Sequence, residues 1–185
     1  MIIPVYQTEV RHKKIPFDLG RLYELMHDWL DEEGFGDEFG GDNYLETYYF
    51  EDRGEVSEIW FWWRSRKGTD TKYFTFHIDI DVHCIAFKKV EVNLGGKKLK
   101  LDNGEIIMNF NAYIEFDDSG FKRNPFIKFF YEWFIYRGIK RQAEVYKQDL
   151  KGKVFDLIST VKKYLNLLNF IDNQPAFHPQ YGIGY

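Results

Sequence analysis

The sequence predicts an α+β fold, a bent antiparallel sheet of about seven strands packed on a long C-terminal helix. Three observations lead there. Residues 73–84, YFTFHIDIDVHC, alternate apolar and polar side chains with a period of two, as a strand with one covered face does. Turn residues punctuate further alternating stretches as far as Asp117, which is the pattern of an antiparallel meander. From Ile139 the period changes. Ile139, Ala143, Tyr146, Leu150, Val154, Leu157, Val161, Tyr164 and Leu168 follow one another at steps of three and four. That spacing describes an amphipathic helix about thirty residues long, roughly 45 Å from end to end.

Each element has its own local reason. Residues 2–12, IIPVYQTEVRH, read as a first strand, with Pro4 suited to an edge. A helix follows over about Phe17 to Glu33. Its apolar residues Leu19, Leu22, Tyr23, Leu25, Met26, Trp29 and Leu30 share one face, Asp18 suits the N-cap or the first turn, and Gly34 stops it. Residues 34–43, GFGDEFGGDN, form a Gly-rich acidic loop without either phosphate-binding glycine motif. Residues 44–51 and 55–66 make a hairpin across Asp52, Arg53 and Gly54. Strands over 72–84, 86–94, 97–101 and 105–117 complete the meander, with Gly95–Gly96 and Asp102–Asn103–Gly104 as turns. Pro125 opens a second helical region with an aromatic stripe through Phe126, Phe130 and Trp133, and Gly138 divides it from the long helix. Gly152 is a weak point in that helix. The division expected is one domain over 1–168 and an aromatic tail over 169–185, where Pro175 and Pro179 exclude regular helix.

Composition narrows the function classes. With 44% hydrophobic residues and 19% aromatics the chain builds a core of large flat side chains. The lone cysteine, Cys84, excludes an internal disulfide and a cysteine zinc site, and its place on the apolar strand face marks it as a buried thiol. No stretch reaches the length of a membrane helix and the N-terminus lacks a signal-peptide pattern, so a cytoplasmic protein with no membrane span is expected. The formal net charge of −4 conceals an asymmetry. Residues 1–120 hold 14 Lys and Arg against 24 Asp and Glu, whereas residues 121–185 hold 11 against 5. An electrostatic partner, or docking of one half on the other, follows from such a split.

The order strand, helix, meander, long C-terminal helix over residues 2–168 is similar to the helix-grip fold of the START/Bet v 1-like superfamily. The resemblance is one of element order; the superfamily has no strict motif, so it carries over no functional residue. It implies a curved sheet wrapped on the helix, often around an apolar cavity. Members bind lipids, hormones or polyketides, act as hydrolases or cyclases, or serve as protein adaptors. Fold therefore leaves function open.

Three constellations could carry chemistry. His77, Asp79, Asp81 and His83 form a polar ladder on one strand face. Same-face neighbours lie about 6.5–7 Å apart, so a metal site would need a further acid from an adjacent strand, such as Glu115 or Asp117. The plainer role is a wet sheet face paired with Arg64, Lys88 or Lys89. Trp60, Trp62, Arg64 and Arg66 share a second strand face that could stack bases and hold phosphates, or be covered by helix, tail or partner. The third is the basic helix, where Arg137, Lys140, Arg141 and Lys147 stand beside the apolar stripe.

The expectation is a non-catalytic protein that needs no cofactor and binds an apolar small molecule between sheet and C-terminal helix. Phe74, Phe76, Ile78, Phe110, Ile114, Phe130 and Trp133 would line that space. The first alternative is an interaction protein that engages RNA or a ribonucleoprotein through the basic helix and the aromatic–arginine strand, as a homodimer through the long helix. The second is a metal-dependent or acid–base enzyme that uses the His/Asp ladder.

Overall fold

A computed structural model describes residues 1–13, 15–37, 45–54, 56–71, 73–94, 97–117 and 140–172. The chain is α+β. Its elements are β1 (Ile2–Lys13), α1 (Leu19–Glu32), β2 (Gly36–Asp37), β3 (Glu46–Arg53), β4 (Ser57–Gly68), β5 (Phe74–Leu94), β6 (Lys97–Phe116) and α2 (Lys140–Asp172). The sheet runs β1–β6–β5–β4, and the far edge of β4 carries the two-residue β2 at one end and β3 along the rest. Every pairing is antiparallel.

The sheet therefore has five full strands and the short β2, where seven were expected. The correction lies in one hairpin. Residues 86–94 and 97–101 are not separate strands. β5 and β6 run on as a single long pair, from Phe74 opposite Phe116 to Leu94 opposite Lys97. Asp102–Asn103–Gly104 does not turn the chain. It stays in the ladder opposite a bulge, since Ile85 pairs with Glu105 and Lys88 with Asn103, leaving one extra residue on β5. Ala86 takes that bulge with φ of 57°, the left-handed conformation that glycine adopts most readily. Opposite it, Gly104 permits close approach. A Cβ there would stand 2.5 Å from Phe87 Cδ2 and 2.8 Å from the Ile85 carbonyl oxygen. The turn-forming residues thus serve a bend, which folds the end of the hairpin toward the start of α1.

Bridges fix that bend. Phe17 and Asp102 exchange backbone hydrogen bonds at 2.9 and 2.7 Å. Asp102 also accepts from the Leu19 backbone N–H at 3.3 Å, and Asp18 accepts from the Arg21 N–H at 3.1 Å. The first turn of α1 is therefore capped by one neighbouring and one distant carboxylate.

The inner face of the sheet is apolar and carries both helices. Phe74, Phe76, Ile78, Ile80, Val82 and Cys84 of β5 meet Ile106, Met108, Phe110, Ala112, Ile114 and Phe116 of β6, all buried. α1 adds Leu22, Met26, Trp29 and Leu30. α2 adds Ala143, Tyr146, Leu150, Val154, Leu157 and Val161, the stripe expected from the sequence, together with Ile158 and Leu165. Trp29 Nε1 donates to Asp156 at 2.9 Å, and Lys153 pairs with Glu33, so the two helices are also tied at their polar margins. α2 reaches Asp172, so it takes in the first four residues of the expected tail, Asn169 to Asp172. Phe130, Trp133, Arg137 and the remainder of the tail lie outside the described residues. Among the described residues no helix is long and apolar enough to cross a membrane.

Candidate functional site

The His/Asp ladder lies on the outer face of the sheet, and each rung is taken by a neighbouring strand. His77 is only 6% exposed. Its ring lies flat on Tyr113 of β6, centroids 4.7 Å apart, and its Nε2 stands 3.2 Å from Glu115 Oε2. Asp81 accepts from Arg64 Nη1 at 2.7 Å, while Arg64 Nε stands 3.9 Å from Asp79. His83 stacks on Trp60 at 4.5 Å, with Glu58 3.7 Å from its Nε2, too far for a hydrogen bond. The ladder is thus a set of cross-strand pairs along 20 Å of strand rather than a convergent cluster (about 3.4 Å per residue). Among the described residues no three His, Cys, Asp or Glu side chains gather as ligands of a metal ion would.

Trp60 and Trp62 share the outer face with β3. Trp62 stacks on Tyr48 at 4.4 Å and has the Arg64 guanidinium 6.0 Å from its ring centroid. Trp60 sits between Phe50 at 5.5 Å and His83 at 4.5 Å. The rings lean on one another across the strands, and Tyr48, Phe50 and Trp62 stay exposed. Arg64 is held by Asp81, and Arg66 is exposed. Phe61 and Trp63 turn inward and join the core. Lys140 and Arg141 are exposed on α2, and Lys147 pairs with Glu144 at 2.7 Å. Because α2 covers the inner face, the basic helix and the aromatic–arginine strand stand on opposite sides of the sheet. The structure does not unite them in one surface.

The expected ligand-lining residues Phe74, Phe76, Ile78, Phe110 and Ile114 are brought together, and they are all but fully buried. Tyr146 of α2 packs edge-on against Phe74 and Phe76 at 5.2 and 5.7 Å. Its hydroxyl bonds to Asp70 and lies 3.2 Å from the Thr71 hydroxyl, which locks the ring in that contact.

A concavity opens elsewhere, at the bend. It holds about 320 Å³ between the first turns of α1, the inner faces of β3 and β4, and the folded-over end of the β5–β6 hairpin. Leu19, Tyr23, Ile59, Phe61 and Phe87 give it an apolar floor. Its rim is polar, with Tyr49, Glu51, Lys88, Lys89 and Asp102. Lys89 is committed to Asp102 at 2.7 Å, and Glu51 to Arg53 at 2.9 Å. Lys88, in contrast, is exposed and has no ion-pair partner among the described residues. Tyr49 donates its phenol proton to Glu51 Oε2 at 3.2 Å, and burial, with the neighbouring Glu51 carboxylate after it, pushes that phenol up. Glu51 is held below its usual range, chiefly by the hydrogen bond from Arg53.

Sequence reasoning missed this cleft because it took Asp102–Asn103–Gly104 for a turn and broke the facing strand after Cys84. The signal was present in the run Phe87–Lys88–Lys89 placed against Asp102–Asn103–Gly104, an apolar ring and two cations beside a carboxylate and a glycine. Only the register makes those two segments neighbours. No protein-family model, curated protein or solved structure matches this chain.

Proposed function

We propose that this protein is a non-catalytic binding protein for a small amphipathic molecule with one anionic group, held in the cleft at the bend. The observation that carries the reading is the combination of an apolar floor with an exposed ammonium on the rim, that of Lys88, which has no ion-pair partner among the described residues. A hydrocarbon or aromatic body would rest on Phe61, Ile59 and Phe87, and a carboxylate, sulfonate or phosphate would meet Lys88. The volume suits a compact ligand rather than a long acyl chain. The element order, the pairing of β1 with β6 and the helix laid across the sheet support a helix-grip-like arrangement. In this reading the ligand sits at the mouth of the sheet, while the space under α2 is filled by Phe74, Phe76 and Tyr146.

The test uses 1-anilinonaphthalene-8-sulfonate and its neutral analogue N-phenyl-1-naphthylamine as probes of the folded protein. Ile59→Trp, which fills the floor, should abolish binding of both while near-ultraviolet circular dichroism is kept. Lys88→Gln should weaken the sulfonate about tenfold and leave the neutral probe unchanged (one charge-assisted contact at about 1.4 kcal/mol). Equal binding by wild type and Ile59→Trp would remove the cleft as the site.

A further inference from the structure

The two edges of the sheet are built in opposite ways. β1, at one edge, carries Pro4, a bulge between Pro4 and Tyr6, and the charged residues Glu9, Arg11 and Lys13. These are the devices that stop an edge strand from pairing with another chain. β3, at the other edge, has no proline and keeps its charged residues, Glu46, Glu51, Asp52 and Arg53, toward its two ends. Its bulge lies at the start, between Glu46 and Tyr48, and from there it runs in regular register with β4. Three consecutive aromatic residues, Tyr48, Tyr49 and Phe50, are 40%, 51% and 48% exposed. Tyr48 to Arg53 pair with β4 on one side and with no strand among the described residues on the other. A strand with open backbone donors and acceptors, and large apolar side chains on both faces, is made to receive another strand.

We propose that β3 receives the β3 of a second copy of this chain, giving an antiparallel two-fold dimer with one continuous sheet. The charge pattern of the strand selects the register. Centred on Phe50, all residues from Thr47 to Arg53 find a partner. Phe50 faces its own copy, Tyr49 faces Glu51, Tyr48 faces Asp52 and Thr47 faces Arg53, with no like charges opposed. Centred on Tyr49, Glu46 would oppose Asp52 twice over; centred on Glu51, that carboxylate would oppose itself. Because opposed residues share a sheet face, the Phe50 register also gathers Phe50 and Trp60 of both copies on the outer side. On the inner side it sets Tyr49 of each copy against Glu51 of the other, so the rim of each cleft gains a wall from the second chain. The apolar stripe of α2 is spent on its own sheet, which leaves the helix only Val145 and Phe155 as exposed large apolar side chains among the described residues.

Sedimentation equilibrium and native mass spectrometry test the association, and cysteine cross-linking tests the register. The wild type should run at twice the 22.3 kDa chain mass. Tyr48→Lys/Phe50→Lys, which removes two exposed rings together with their contacts on Trp62 and Trp60, should run at the single mass and still unfold cooperatively on heating. Under mild air oxidation with copper–phenanthroline, Phe50→Cys should form a covalent dimer, since the proposed axis puts the two positions opposite each other. Asp52→Cys should not, because its two copies would stand roughly 13 Å apart, beyond the reach of a disulfide. Buried Cys84 does not compete. A monomeric wild type, a dimer indifferent to the double lysine variant, or equal cross-linking at both positions would each overturn the proposal. Ligand binding is a separate readout, so failure of one reading leaves the other intact.

Discussion

Single residues decide how the β5–β6 hairpin bends. Gly104 is required by space, since any Cβ meets Phe87 and the Ile85 carbonyl inside contact distance. Gly104→Ala should therefore lower stability by about 1–3 kcal/mol in urea denaturation, the usual range for overpacking. Ala86 has the converse problem, a side chain in left-handed backbone, and Ala86→Gly should raise stability by up to about 1 kcal/mol. Cys84 lies near the same bend. Burial, with Asp102 nearby, pushes its thiol up to about 12, against 9.0 for the free group. As pH rises above about 9 the unfolded chain gives up this proton while the folded chain keeps it, so folding stability falls across the window from 9 to about 12. The Tyr49 and Tyr164 phenols, also raised chiefly by burial, act in the same direction above pH 10. Cys84→Ala should flatten the alkaline decline measured by denaturation at a series of pH values. An unchanged slope would show that the thiol titrates normally.

At the scale of elements, periodicity was a faithful guide wherever one face of an element is buried. The α2 stripe from Ala143 to Val161 is buried as its spacing foretold, and Asp18 caps α1. Gly152 stands on the exposed side of α2, with nothing within 4 Å of the place a Cβ would take. Gly152→Ala should stabilise the protein by about 0.5–1 kcal/mol, visible as a rise in melting temperature, because alanine restricts the unfolded backbone without a clash. Turn chemistry was a poorer guide. Asp-Asn-Gly is a strong hairpin signal, but its residues also suit a bulged bend, and the choice depends on whether the facing strand continues. That information resides in Ile85–Lys88, some twenty residues earlier in the chain (about the span of the hairpin arm).

For the whole molecule, Asp102 joins three parts: the bent hairpin through Lys89, the strand-to-helix junction through Phe17, and α1 through the Leu19 N–H. It is buried, and Asp102→Ala would leave both the amide and the ammonium without this acceptor. A loss of roughly 1–3 kcal/mol is expected. Hydrogen exchange should quicken first in residues 88–101 and the opening turn of α1, with the α2 amides unaffected until global unfolding. The class of fold, the buried face of each long element, the burial of Cys84 and the placement of the His/Asp ladder on the outer sheet face were all legible in the sequence, because each follows from a local period of side-chain polarity. The strand count, the partners of the ladder, the separation of the basic helix from the aromatic–arginine strand and the cleft at the bend were decided only by tertiary structure. Those depend on register and on which sheet face a helix covers, and both are set by contacts between residues far apart in the chain.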